Sequence, residues 1–151
     1  MGRATARTAC LVLLGSLAAG CAAPDVDPSE IQRWMDARGA PVEGRVAAMS
    51  GIVGPDDRRP QDQGAVTTTF AAPVQVSGAR LSCFGEDTLT FLVEVVRQEG
   101  GSAMTSSVEH DVACAAGAVT VDVAEPAAGA VGVSAYGAAH EGAWHAEILG
   151  D

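Results

Sequence analysis

From Ala65 onward the apolar residues fall at every second position, and turn-forming residues interrupt them about every ten residues. A period of two is the signature of strands with one buried face, because successive side chains on a strand point to opposite sides. The alternation predicts strands at about 65–70, 73–84, 88–97, 106–114, 118–124, 130–136 and 143–149. Leu89, Phe91, Val93 and Val95 share one face, as do Val119, Val121 and Val123, with Thr120 and Asp122 opposite. In the last segment Trp144, Ala146 and Ile148 point one way, and His145 and Glu147 the other. Gly100-Gly101 has the composition of a tight hairpin turn. Short alternating segments at this spacing predict an all-β chain folded as a small antiparallel β-sandwich.

The N-terminus is built differently. Met1–Thr8 carries Arg3 and Arg7 and no acid, and Ala9–Ala19 is apolar and uncharged. A basic segment followed by so short an apolar run has the form of a secretory signal, not of a spanning helix. Arg3 and Arg7 are not adjacent, so the signal lacks a twin-arginine pair. Leu17-Ala18-Ala19-Gly20-Cys21 resembles a bacterial lipobox, although Ala18 stands where leucine is commonest. The resemblance implies a lipoprotein precursor: residues 1–20 are a signal peptide, Cys21 becomes the acylated N-terminus, and its diacylglycerol and further acyl chain (palmitate or similar) hold the protein on the extracytoplasmic side of a cell membrane. Two or more chains are what stable anchoring requires. The chain is similar in this respect to the small lipoproteins of high-GC Gram-positive bacteria.

Cysteine and charge follow from that division. The four cysteines are Cys10, within the signal, Cys21, assigned to lipid, and the pair Cys83 and Cys114. An even pair in an oxidising compartment predicts one disulfide. Leu81 and Cys83 share a parity, as do Val108, Val112 and Cys114, so both cysteines are expected to face the core. A metal site on the two thiolates lacks further ligands at suitable spacing. The Cys-pinned domain is similar in outline to immunoglobulin-like or jelly-roll sandwiches, although both tryptophans lie outside the cysteine pair. Without Arg3 and Arg7 the chain retains seven basic residues against nineteen acids, a balance of −12. Such a surface repels phosphate, which argues against nucleic acid as a partner.

Residues 21–64 read as a lipid-anchored tether with a short helix and a polar linker, ahead of a domain at 65–151. Asp27 is a helix cap, Pro28 suits the first helical position, and Glu30 completes a capping-box pattern for a helix over about 28–38. Ile31, Trp34, Met35 and Arg38 fall on one face of it. That face either packs on the following domain, the preferred reading for so short a helix, or meets a partner. Arg45–Val53 reads equally as a strand or a helical turn, and 54–64 is polar and rich in chain breakers. Asp56, Asp57 and Asp62 lack the spacing of an EF-hand loop.

Patterns that carry chemistry are weak. His140-Glu141 and His145 resemble a zinc-protease motif, but the histidines are five apart where four are needed, which favours ordinary surface histidines. Glu109-His110-Asp111 would need a partner such as His140 or Glu141 brought close by folding. There is no GxSxG elbow and no glycine-rich phosphate loop opening a helix. These observations predict no catalytic residue, no metal and no cofactor. The expected function is binding, as an accessory module for an envelope protein or cell-wall polymer. A small-ligand or carbohydrate-binding sandwich is the alternative, and a metal-dependent enzyme using His110 and His140 is third. A carbohydrate platform would have to come from Phe70, Phe84, Phe91, Tyr136, Trp34 and Trp144.

Overall fold

The computed structural model describes residues 26–60 and 65–151. The signal peptide and Cys21 lie outside the described residues, as do residues 61–64 of the linker. Helix α1 (Pro28–Asp36) is followed by six strands: β1 (Arg45–Val53), β2 (Val66–Phe84), β3 (Thr88–Glu99), β4 (Ser102–Ala113), β5 (Val119–Tyr136) and β6 (Gly142–Gly150). A single 3-10 turn, Cys114–Ala116, follows β4. All the pairings are antiparallel, in the order β1-β6-β2-β5-β3-β4.

The sheet is not flat. Strand neighbours lie about 4.8 Å apart, so strands three places apart in a flat sheet would be separated by about 14 Å. Yet Phe91 of β3 meets Trp144 of β6 edge to face with ring centroids 6.2 Å apart. Cys83 of β2 and Cys114, just past β4, are disulfide-bonded with Cα atoms 4.8 Å apart. Both contacts cross three places, so the sheet folds over on itself. The bend is made by the two longest strands. The C-terminal part of β2 pairs with β6 and with residues 119–125 of β5, while residues 66–69 pair with the C-terminal part of β5, which also pairs with β3. Register shifts between Thr69 and Gly78 mark the corner, which is how a strand passes from one layer of a sandwich to the other. The chain is thus an antiparallel β-sandwich with one disulfide.

The alternation places the core as expected. Leu89, Phe91, Val93, Val95, Leu81, Val121, Val123, Val131, Val133, Trp144, Ala146 and Ile148 are all buried in one cluster with both cysteines. Val112 joins them, but Val108, on the edge strand β4, is exposed. The β3–β4 hairpin turns through Gly100 and Gly101, with φ of 58° and 86°, the paired positive values of a type I′ turn.

Two expectations are revised. The segments at 65–70 and 73–84 are one strand, and so are those at 118–124 and 130–136. Arg45–Val53 is a strand paired with β6 from Arg45↔Leu149 to Val53↔Gly142, so it belongs to the β-domain and not to the tether. Residues 54–60 are largely exposed yet fastened down. Gly54 N–H donates to Asp57 Oδ2 (2.7 Å), and Arg59 reaches Glu109 (2.6 Å). Among the described residues no helix is long and apolar enough to cross a membrane.

Candidate functional site: a basic cleft beneath the N-terminal helix

Helix α1 starts as its sequence dictates. The Asp27 carboxylate accepts the Ser29 N–H at 2.8 Å, and Pro28 opens the first turn. The capping hydrogen bond holds the Asp27 carboxyl below its usual range. Glu30 instead pairs with Arg33 at 3.7 Å. The helix lies against β6. Ile31 is buried, Trp34 and Met35 are half-buried, and Trp34 meets Phe84 edge-on at 6.0 Å. The face of Ile31, Trp34 and Met35 is therefore turned mainly to the domain, and only the half-buried parts of Trp34 and Met35 remain for a partner. Arg38 lies over the Trp34 ring, its guanidinium carbon 3.7 Å from the centroid, a cation–π geometry.

This arrangement covers the outer face of β6 and β2. His145 and Glu147 do point away from the core, but that second face is also sealed, and they are 5% and 7% exposed. His145 is thus not a surface histidine. It faces Ser50 across β1 and Ser82 across β2 in register. Ser50 Oγ lies 2.8 Å from its Nδ1, and Ser82 Oγ donates to its carbonyl at 3.5 Å. Nε2 has no hydrogen-bond partner, although Glu147 Oε1 stands 3.9 Å from it. Burial pushes the imidazole below its ordinary value, the Glu147 carboxylate opposes this, and the Arg38 and Arg45 cations add to it. The ring is accordingly neutral near pH 7, and Nε2 is left without a hydrogen bond of good length.

Glu147 is held by two cations. Arg45 Nη1 lies 3.2 Å from Oε1, and Arg80 Nη1 lies 3.7 Å from Oε2. Arg38 donates from Nε to Ser82 Oγ and from Nη1 to the Trp34 carbonyl, each at 3.3 Å. No carboxylate among the described residues lies within ion-pair distance of it. Burial draws the Arg38 guanidinium below its ordinary value, Arg80 repels it further, and Glu147 acts in the opposite sense. Between residues 37–42, which follow α1, and the sheet lies a cleft of about 290 Å³. Arg38, Arg80, Ser82, His145 and Glu147 form its polar side, and Ala37, Ala40, Val42 and Ala118 its apolar wall.

The other singled-out residues lie elsewhere. His140 is tied to Asp87, whose Oδ2 accepts the N–H groups of Ala139 and His140 at 2.9 Å each, with His140 Nδ1 3.2 Å from Oδ1. Burial pushes the Asp87 carboxyl up, but these bonds outweigh it and leave the group below its usual range. His110 sits within β4 opposite Phe91. Glu109 accepts from Tyr136 at 2.8 Å, and burial followed by this carboxylate raises the Tyr136 phenol. Among the described residues no three His, Cys, Asp or Glu side chains gather as a metal site would. Compared with protein-family models, curated proteins and solved structures, the chain matches none.

Sequence reasoning missed the cleft because period-two alternation separates two faces without saying what covers the second. One signal was available. Arg38 continues the apolar face of α1 just past its end, and a cation in that position needs a polar surface beneath it.

Proposed function

We propose that the chain is a lipid-anchored module of the cell envelope, held on the extracytoplasmic side of the membrane by acyl chains on Cys21, and that it works by binding rather than catalysis. The observation that carries this reading is the lipobox cysteine, followed closely by a disulfide-pinned β-sandwich. From Cys21 to Pro28 the chain reaches at most about 25 Å when fully extended. The domain therefore works close to the bilayer, where envelope proteins and cell-wall polymers are its available partners.

A second reading, small-ligand binding, is favoured by the cleft under α1. Its carbohydrate variant is less well supported, since Phe91 and Trp144 are buried and Trp34 is engaged with Phe84 and Arg38.

The test is expression in a bacterial host with and without Cys21→Ser, followed by detergent-phase partitioning and metabolic labelling with an alkynyl fatty acid. The wild-type chain should enter the detergent phase and carry label, and the variant should do neither. An unlabelled wild-type chain would remove the anchor and with it this reading. Crosslinking in intact cells then identifies the partner.

A further inference from the structure

The cleft concentrates positive charge in an acidic chain. Two guanidiniums, Arg38 and Arg80, line it, Arg45 stands behind Glu147, and Glu147 is the one carboxylate among the described residues in ion-pair contact with any of the three. Arg38 uses two of its five N–H groups on Ser82 and Trp34. Arg80 spends one edge on Glu147 and keeps half its side chain exposed. Two like charges border one cavity, and that arrangement is relieved by an anion between them. Beside them lies a second unsatisfied group, His145 Nε2, in a side chain 6% exposed. A buried polar atom without a partner is costly, and a ligand atom within hydrogen-bond reach recovers that cost.

We propose that this cleft binds a small organic carboxylate. The anion is held by the free edges of the Arg38 and Arg80 guanidiniums, whose planar forks match a carboxylate in geometry. A further polar atom of the ligand meets His145 Nε2, and its apolar body lies against Ala37, Ala40, Val42 and Ala118. That wall distinguishes an organic acid from an inorganic anion, which has nothing to place there. The volume, at the lower end of ordinary ligand cavities, suits a short acid or the C-terminal carboxylate of a peptide. The inference deepens the binding reading above and rests on it, but takes its chemistry from the cleft alone.

The test uses the full chain, purified in detergent from whichever cell fraction holds it, with labelled histidine observed by NMR. There are three histidines, so the ring signals can be assigned by substitution. The probes are butyrate, N-acetyl-alanyl-alanine, the amide of that dipeptide, and inorganic phosphate. Saturable shifts of the His145 ring are expected with at least one of the two carboxylates. The tighter of these identifies the source as a free acid or a chain terminus. Neither the amide nor phosphate should reproduce the shifts. Arg80→Gln, at an exposed side chain, and Arg38→Gln should each weaken binding at least tenfold while leaving the fold intact. Absence of saturable shifts, an equal response to amide or phosphate, or unchanged affinity in a folded Arg80→Gln protein would overturn the assignment. Fractionation of the same preparations reports on the anchor separately, so failure of one reading is distinguishable from failure of the other.

Discussion

Removing the Cys83–Cys114 bridge tests the folded-over architecture most directly. The two cysteines are 31 residues apart in sequence. In the chain-entropy model, closing a loop of that length removes about 12 cal/mol/K from the unfolded chain, which is about 3.7 kcal/mol at 25 °C. Unfolding roughly 110 residues carries an entropy of about 0.23 kcal/mol/K near the melting point, so the loss corresponds to a fall in Tm of about 15 °C. The bridge also spans strands three places apart, as does the apolar contact of Phe91 with Trp144. Both cysteines are buried, at 4% and 7% exposure, so a reductant meets them slowly in the native state. The comparison is best made by calorimetry on the Cys83→Ala/Cys114→Ala double variant beside the wild-type chain, with thiol counting on the latter. The variant should retain its strand content and melt about 15 °C lower, with a small further loss for the missing sulfurs. A fall of less than about 5 °C, or two free thiols at these positions in the native protein, would refute the argument.

Gly150→Ala should cost about 3 kcal/mol or more in a denaturant titration, since its Cβ would overlap the Gln75 carbonyl oxygen where neither backbone can yield. Gly51→Ala should cost about 1–3 kcal/mol by the same assay, because the new methyl would stand 2.7 Å from Nε1 of the buried Trp144 ring. Trp34→Ala should remove the edge contact with Phe84 and the support beneath Arg38, at a cost of about 1–2 kcal/mol, and hydrogen exchange should show faster opening confined to residues 28–38. Stability should fall as pH drops below the unfolded histidine value of about 6.5. His145 has a lowered pKa when folded, so the unfolded chain binds the extra proton first, and the stabilisation present above that value is lost as pH falls through the folded one. His145→Asn should flatten the denaturation midpoint between pH 7 and 5, and an unchanged slope would assign the effect elsewhere.

How far the sequence could be read follows from what each signal encodes. Alternation reports which residues share a face, and it located Leu89, Phe91, Val93 and Val95 and the Trp144–Ile148 set correctly because each packs against the same core. Turn chemistry is equally local: Gly100-Gly101 and the Asp27-Pro28 cap work through backbone geometry within a few residues. Strand continuity is not local. The gaps expected at 71–72 and 125–129 are bridged, and β2 and β5 run through Pro73 and Pro126, because the bend at the corner keeps its pairing through shifts of register. Arg45–Val53 becomes a strand only because the far C-terminal β6 offers it an edge, a contact about 100 residues distant in the chain. Burial of His145 and Glu147 is a third-order consequence of the same kind. It requires α1 to lie across a face that alternation marks as polar, and it leaves a neutral imidazole, a paired carboxylate and an Arg38 without a carboxylate in one cleft. A face built only for solvent would not need a helix with Ile31 and Trp34 set against the domain, nor would it bury two ionisable groups. The cost of burying them is what makes the cleft the best candidate for function in a chain whose other surface is ordinary acidic sandwich.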